Sequence, residues 1–118
     1  MIIIDAPIRP MPFKRVECRG KQRFNPEEYE KYKEELGWYA RQAMGERRPY
    51  TGAVSIRVWL FKKRRGILKK CWGDIDNFLK AILDSLNGIC YLDDAQVKKV
   101  EAEKFFGRSH IVIGIREI

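Results

Sequence analysis

Two aspartates separated by one apolar residue, Asp74 and Asp76 around Ile75, sit in the run Gly73-Asp74-Ile75-Asp76-Asn77. Lys80 follows four residues after Asp76, on the same face of any helix that continues from there. A second acidic pair, Asp93-Asp94, lies further along the chain. Carboxylates at i and i+2 cannot share one face of a regular helix. They converge on one cation if the first occupies the capping turn. Three or four clustered carboxylates repel one another, which favours either raised pKa values or a bound cation. Oxygen-only ligands with open coordination suit Mg²⁺ or Mn²⁺. Plainer uses are available on spacing alone. Asp74 or Asp76 can serve as a helix N-cap, Asp93-Asp94 as an ordinary turn, and Lys80 as a solvated helix residue.

What surrounds these acids gives them meaning. The 118 residues carry 24 Lys+Arg against 16 Asp+Glu, a net charge of +8, and the excess is concentrated. Residues 9–23 hold Arg9, Lys14, Arg15, Arg19, Lys21 and Arg23 against Glu17 alone, for +5. Residues 62–70 hold Lys62, Lys63, Arg64, Arg65, Lys69 and Lys70 with no acid, for +6. These 24 residues carry +11, so the other 94 sum to −3. Two basic segments on a slightly acidic body form an electrostatic footprint for a polyanion. Arginine supplies half of the cations, and its planar fork matches phosphate oxygens. Phosphodiester hydrolysis needs both kinds of charge. Cations hold the backbone, and carboxylates hold a metal that activates water and stabilises the leaving oxygen.

Composition removes other classes. At 45% hydrophobic and 12% aromatic residues the chain can bury a core, so it is no disordered basic tail. No apolar run approaches the ~20 residues of a membrane span, and the start lacks the charged region and cleavage site of a signal peptide. Cys18, Cys71 and Cys90 are odd in number, widely spaced and without a CxxC pair. They read as reduced thiols of a cytoplasmic protein. With His110 the single histidine, a structural zinc site is unsupported. His110 precedes an alternating run and reads as a strand-end residue. The expectation is one soluble domain over residues 1–118.

The elements that must position the acids follow from pattern. Ile2–Ile4 reads as a short strand, stopped by Pro7, Pro10 and Pro12. The basic stretch to Arg23 has no period and reads as loop. Asn25-Pro26-Glu27-Glu28 is a helix start, with Asn25 as cap and Pro26 at the first helical position. Tyr29, Tyr32, Leu36, Tyr39, Ala40 and Ala43 then recur at helical spacing as a core face, until Gly45. Ala53–Phe61 alternates, with Val54, Ile56, Val58 and Leu60 on one face and Ser55, Arg57, Trp59 and Phe61 on the other. That bulky second face predicts a sheet partly covered on both sides, or a subunit contact. A second helix is expected from about Asp74 to Leu86, closed by Asn87-Gly88. Ala95–Phe105 reads as a strand with a bulge, Gly107 as a turn, and Ile111, Ile113 and Ile115 as the last strand. The predicted fold is α/β (α+β), β-α-β-α-β-β, a mixed sheet of about four strands with two main helices.

The run Gly73-Asp74-Ile75-Asp76-Asn77-Phe78-Leu79-Lys80-Ala81-Ile82-Leu83-Asp84-Ser85-Leu86-Asn87-Gly88, followed by Tyr91-Leu92-Asp93-Asp94-Ala95-Gln96-Val97, resembles the signature of the RusA family of Holliday junction resolvases. That pattern, D-x-D-N-x-x-K-x-x-x-D-x-L and then D-D-A-Q, covers roughly a fifth of the chain. Two features depart from it. The link before Asp93 is about one residue shorter than in the best-known member, and Cys71-Trp72-Gly73 replaces a continued arginine run.

The resemblance implies a Mg²⁺-dependent endodeoxyribonuclease, with Mn²⁺ as substitute. It implies a homodimer that resolves four-way DNA junctions by paired symmetric nicks in recombination and repair. No organic cofactor or membrane partner is expected, and the setting implied is the nucleoid of a bacterial or phage-infected cell. Carried over by position, Asp74, Asp76 and Asp94 are metal carboxylates, Lys80 is the essential lysine, and Asp93 is a further metal candidate. Asp84 takes a supporting role. Lys14, Arg15, Arg19, Lys62, Lys63, Arg64, Arg65, Lys69 and Lys70 are assigned to DNA phosphates. Trp72 is a candidate for stacking on an unpaired base at the crossover. The competing classes are a non-catalytic basic DNA-binding module, a metal nuclease for forks or flaps, and an RNA- or acidic-ligand-binding protein.

Overall fold

The structure is a computed structural model that describes residues 1–12, 26–63 and 74–118. Its elements run β1 (Ile2–Ala6), α1 (Pro26–Met44), β2 (Val54–Lys62), α2 (Ile75–Leu86), a 3-10 turn (Asp94–Gln96), β3 (Val97–Phe106) and β4 (His110–Glu117). The four strands form one mixed sheet in the order β1-β4-β2-β3. β4 pairs antiparallel with both β1 and β2, while β2 and β3 are parallel. The parallel pair requires a crossover, and α2 supplies it. The expected α+β domain with two helices and four strands is present.

Alternation along the strands decides which side is core. Ile2, Ile4 and Ala6, then Val54, Ile56, Val58 and Leu60, then Ile111, Ile113 and Ile115 are all buried. They join one cluster with Tyr29, Tyr32, Leu36 and Ala40 of α1 and Phe78, Ala81, Ile82 and Leu86 of α2. The tyrosines expected on the core face of α1 are therefore core residues, with Tyr39 and Ala43 packed at its margin. Burying each large aliphatic or aromatic side chain stabilises the fold by roughly 1.5–3 kcal/mol. Gly45 ends α1 at φ 59°, and its N–H bonds the Arg41 carbonyl, the left-handed stop that glycine takes without a Cβ clash.

The other sheet face carries Ile3, Asp5, Arg57, Trp59, Phe61, Lys99, Glu101, Glu103, Phe105, His110, Val112 and Arg116 by strand alternation. Ile3 is 52% exposed and Phe105 38%. Phe61 stacks between Phe105 and His110, with centroids at 5.1 and 4.0 Å. Arg57 donates to Glu101 Oε2 (2.6 Å from Nη2), and Lys99 pairs with Glu101 Oε1 at 3.0 Å. The Arg57 hydrogen bonds and the Lys99 ammonium hold the Glu101 carboxyl down to about 2. His110 opens β4, as expected of a strand-end residue.

The start of the third strand differs from the sequence expectation. The strand expected to begin at Ala95 begins at Val97, because Asp93 and Gln96 form a capping box that winds Asp94–Gln96 into a 3-10 turn. The bulge expected in this run is present: pairing jumps from Val54–Val97 to Ser55–Lys99, so Lys98 is the extra residue.

Cys90 lies fully buried beside Tyr91, and burial pushes its thiol up from about 9 to about 12. Burial also raises the hydroxyls of Tyr29, Tyr32 and Tyr91. Groups raised in the fold keep their protons where the unfolded chain loses them, so stability is full below pH 9 and falls from about pH 9 toward 12. Thermal melts should decline across that window. In a C18S/C71S variant, Cys90 should resist a thiol reagent at pH 8 until urea unfolds the chain.

Candidate active site

The N-terminus of α2 presents the first two acids. Asp74 occupies the N-cap position with extended backbone (φ −67°, ψ 137°), yet its side chain makes no capping hydrogen bond. The N-cap reading therefore holds for Asp74 in position only. The residue stands where a cap stands, but its carboxylate is not used as one. Asp76 lies in the first turn, and both residues are exposed. Lys80 is exposed one turn further along the same face, and Asp84 follows at the next repeat. The apolar stripe of Phe78, Ile82 and Leu86 buries the opposite side of α2 and so fixes which way these groups face.

Asp84 serves the scaffold. Its Oδ2 accepts from the Tyr29 hydroxyl at 3.0 Å, tying α2 to α1. Tyr91, fully buried, donates its hydroxyl to the Leu83 carbonyl at 2.7 Å and so links the end of α2 to the segment that carries Asp93 and Asp94. Its hydroxyl is raised by burial first, then by the nearby charges of Cys90, Asp94, Asp84 and Asp93.

Within that pair the two carboxylates have different work. Asp93 accepts from the Ala95 N–H at 3.3 Å and caps the 3-10 turn. Asp94, the first residue of the turn, is exposed. The Asp93-Asp94 doublet combines the turn reading with a carboxylate left over.

Carboxylate oxygens without histidine or thiolate are the donor chemistry of a hard divalent cation, and of the motif acids Asp74, Asp76 and Asp94 are exposed, with no capping hydrogen bond from the Asp74 side chain. Among the described residues, no three His, Cys, Asp or Glu side chains are gathered closely enough to hold a metal ion. Of the expected phosphate-binding residues, Lys62 ends β2 and Lys63 follows it, exposed. Lys14, Arg15, Arg19, Arg64, Arg65, Lys69, Lys70 and Trp72 lie outside the described residues, as do Asn25, Cys18 and Cys71. Lys62 and Lys63 place the start of the second basic segment at the end of a central strand. No helix among the described residues is long and apolar enough to cross a membrane.

Sequence reasoning passed over Gln96 and Tyr91 as working residues. The Asp93-to-Gln96 spacing is that of a capping box and was the available signal for the first. Nothing in the local sequence marks the second.

An acid-bearing helix start, a capped acidic turn and a basic exit from a central strand are thus carried by one small α+β domain. The family model for endodeoxyribonuclease RusA matches residues 7–116, nearly the whole chain, and the chain belongs to that family. Over 59 residues it is also 34% identical to the uncharacterized protein YqaN of Bacillus subtilis (strain 168), covering 48% of this chain and 42% of that protein. The match thus spans less than half of the relative's length.

Proposed function

We propose that this protein is a divalent-metal-dependent endodeoxyribonuclease that resolves four-way DNA junctions. The family membership over residues 7–116 carries the reading. The separation of Asp74, Asp76 and Asp94 from the capping carboxylate of Asp93 supports it. Asp74, Asp76 and Asp94 would hold Mg²⁺, with Mn²⁺ as substitute. When bound, the ion supplies Lewis-acid stabilisation of the scissile phosphate and a more acidic water.

The chain's own residues do the rest. Lys80 places a positive charge one helical turn from Asp76, where it can neutralise charge building on the phosphate. Lys62 and Lys63, with the cations of residues 64–70 and 9–23, hold backbone phosphates and orient the strand. Two such sites related by a two-fold axis match the symmetry of a four-way junction, so we assign the active form as a homodimer.

The open sheet face is the surface assigned to the second copy. Its fixed charges, Arg57, Lys99 and Arg116 against Asp5, Glu101 and Glu103, cancel, so it offers no attraction to DNA. Its centre is apolar, around Ile3, Trp59, Phe61 and Val112.

Cleavage of a mobile four-way junction, a fork and a linear duplex of the same sequence tests the function. Paired symmetric nicks on the junction, dependent on Mg²⁺ or Mn²⁺, are expected. Binding without nicking under either ion would refute the enzyme, and equal cutting of all three substrates would refute the junction preference.

A further inference from the structure

The carboxamide of Gln96 is used to capacity. Its Oε1 accepts from the backbone N–H of Leu92 at 2.8 Å and of Asp93 at 2.9 Å. Its Nε2 donates to the carbonyls of Tyr50 at 2.7 Å and Gly52 at 2.8 Å. A primary amide has two acceptor sites and two N–H groups, so nothing is left over. With two donors on one side and two acceptors on the other, the partners also fix which atom is oxygen.

These four bonds join two places far apart in sequence. Tyr50–Gly52 leads into β2, and Leu92–Asp93 leads into the turn before β3. The same junction is closed beside Gln96 by the Tyr50 N–H, which donates to the Cys90 carbonyl at 2.8 Å. Asp94 lies inside this clamp, between Asp93 and Gln96, on an exposed turn only three residues long. Its own carboxylate has no part in the capping box, so its direction is set by the turn, and the turn is held by Gln96.

We propose that Gln96 is a positioning residue for Asp94: by locking the 92–96 turn to the entrance of β2, it holds the Asp94 carboxylate where the cation is bound. This rests on the metal-nuclease reading above. Outer residues that orient a metal ligand typically change metal affinity or activity by about tenfold to a hundredfold.

Glutamate is the informative substitution. In Gln96→Glu one oxygen still accepts from Leu92 and Asp93, but the other confronts two carbonyl oxygens and donates nothing while ionised. Protonation restores one donor. The variant should therefore regain function as pH falls, a response with no counterpart in Asp94→Asn.

The experiment compares wild type, Q96A, Q96E and D94N as full chains. It records cleavage of a four-way junction against Mg²⁺ concentration at pH 6 and pH 8, junction affinity without divalent ions, and thermal melts. For Q96A and Q96E at pH 8, the Mg²⁺ concentration for half-maximal cleavage should rise about tenfold or more. Junction affinity should stay within about twofold, because the phosphate-binding cations are untouched. The Q96E midpoint should move back toward wild type at pH 6. If D94N is inactive while Q96A and Q96E keep the wild-type midpoint, the positioning role is wrong and the nuclease reading stands. If D94N cleaves normally, Asp94 holds no catalytic cation and the positioning role falls with it; if wild type itself never cleaves, the nuclease reading is wrong. Should Q96A fail to fold, Q96E alone decides: a lowered melting temperature with an unchanged metal midpoint makes Gln96 merely structural and overturns the proposal.

Discussion

Asp76→Asn is expected to abolish junction cleavage, with a rate loss of about 10³-fold or more, while the protein still binds the junction. On the proposed reading Asp76 helps hold the catalytic ion; removing such a ligand sacrifices several kcal/mol of transition-state stabilisation, and about 4 kcal/mol already corresponds to that factor. Asparagine keeps the size of the side chain and leaves the first turn of α2 intact. One negative charge fewer beside DNA should leave binding equal or tighter. The structure supplies controls of similar chemistry. Asp93→Asn should keep most activity, because asparagine caps about as well as aspartate. Binding measured without divalent ions and single-turnover cleavage at saturating Mg²⁺ separate the effects. Wild-type cleavage by Asp76→Asn would remove this residue from the site.

Trp59→Glu is expected to turn the proposed dimer into a monomer and to convert the proposed paired nicking into slow single nicking. Trp59 sits on a central strand of the open sheet face, opposite Val112 on β4 and Glu103 on β3. A second carboxylate beside Glu103 would desolvate two like charges in any interface formed there, at a cost of several kcal/mol. The fold should survive, because this face is opposite the buried core. Light scattering gives the mass, and a cruciform plasmid distinguishes linear product from nicked circle. A monomeric wild type, or a dimeric Trp59→Glu with paired nicks, would sink the assignment of this face.

The scaffold was largely legible because its signals are local and redundant. Alternation in Val54–Leu60 and Ile111–Ile115 named the buried side of the sheet, and the 3.6-residue stripe of α2 named its buried face. Strand order was not legible. That β4 inserts between β1 and β2 depends on pairings 49 or more residues apart, which no window of sequence reports. At the site, residue types pointed to acids and cations, but their division of labour needed coordinates. Asp74 and Asp93 both hold N-cap positions, and only Asp93 uses its carboxylate to cap. Asp84 looked like another motif acid until Tyr29, fifty-five residues away, was found bonded to it. The strand expected from Ala95 was displaced because a capping-box spacing outweighed an approximate alternation.

The insertion of β4 also sets the order in which activity can arise. β1 is made first, yet its partner Ile111–Ile115 is made last, and β2 lacks one neighbour until then. A ribosome that has passed both basic segments and all five motif aspartates has still produced no complete sheet. A growing chain therefore displays its cations before it has the frame on which cutting depends.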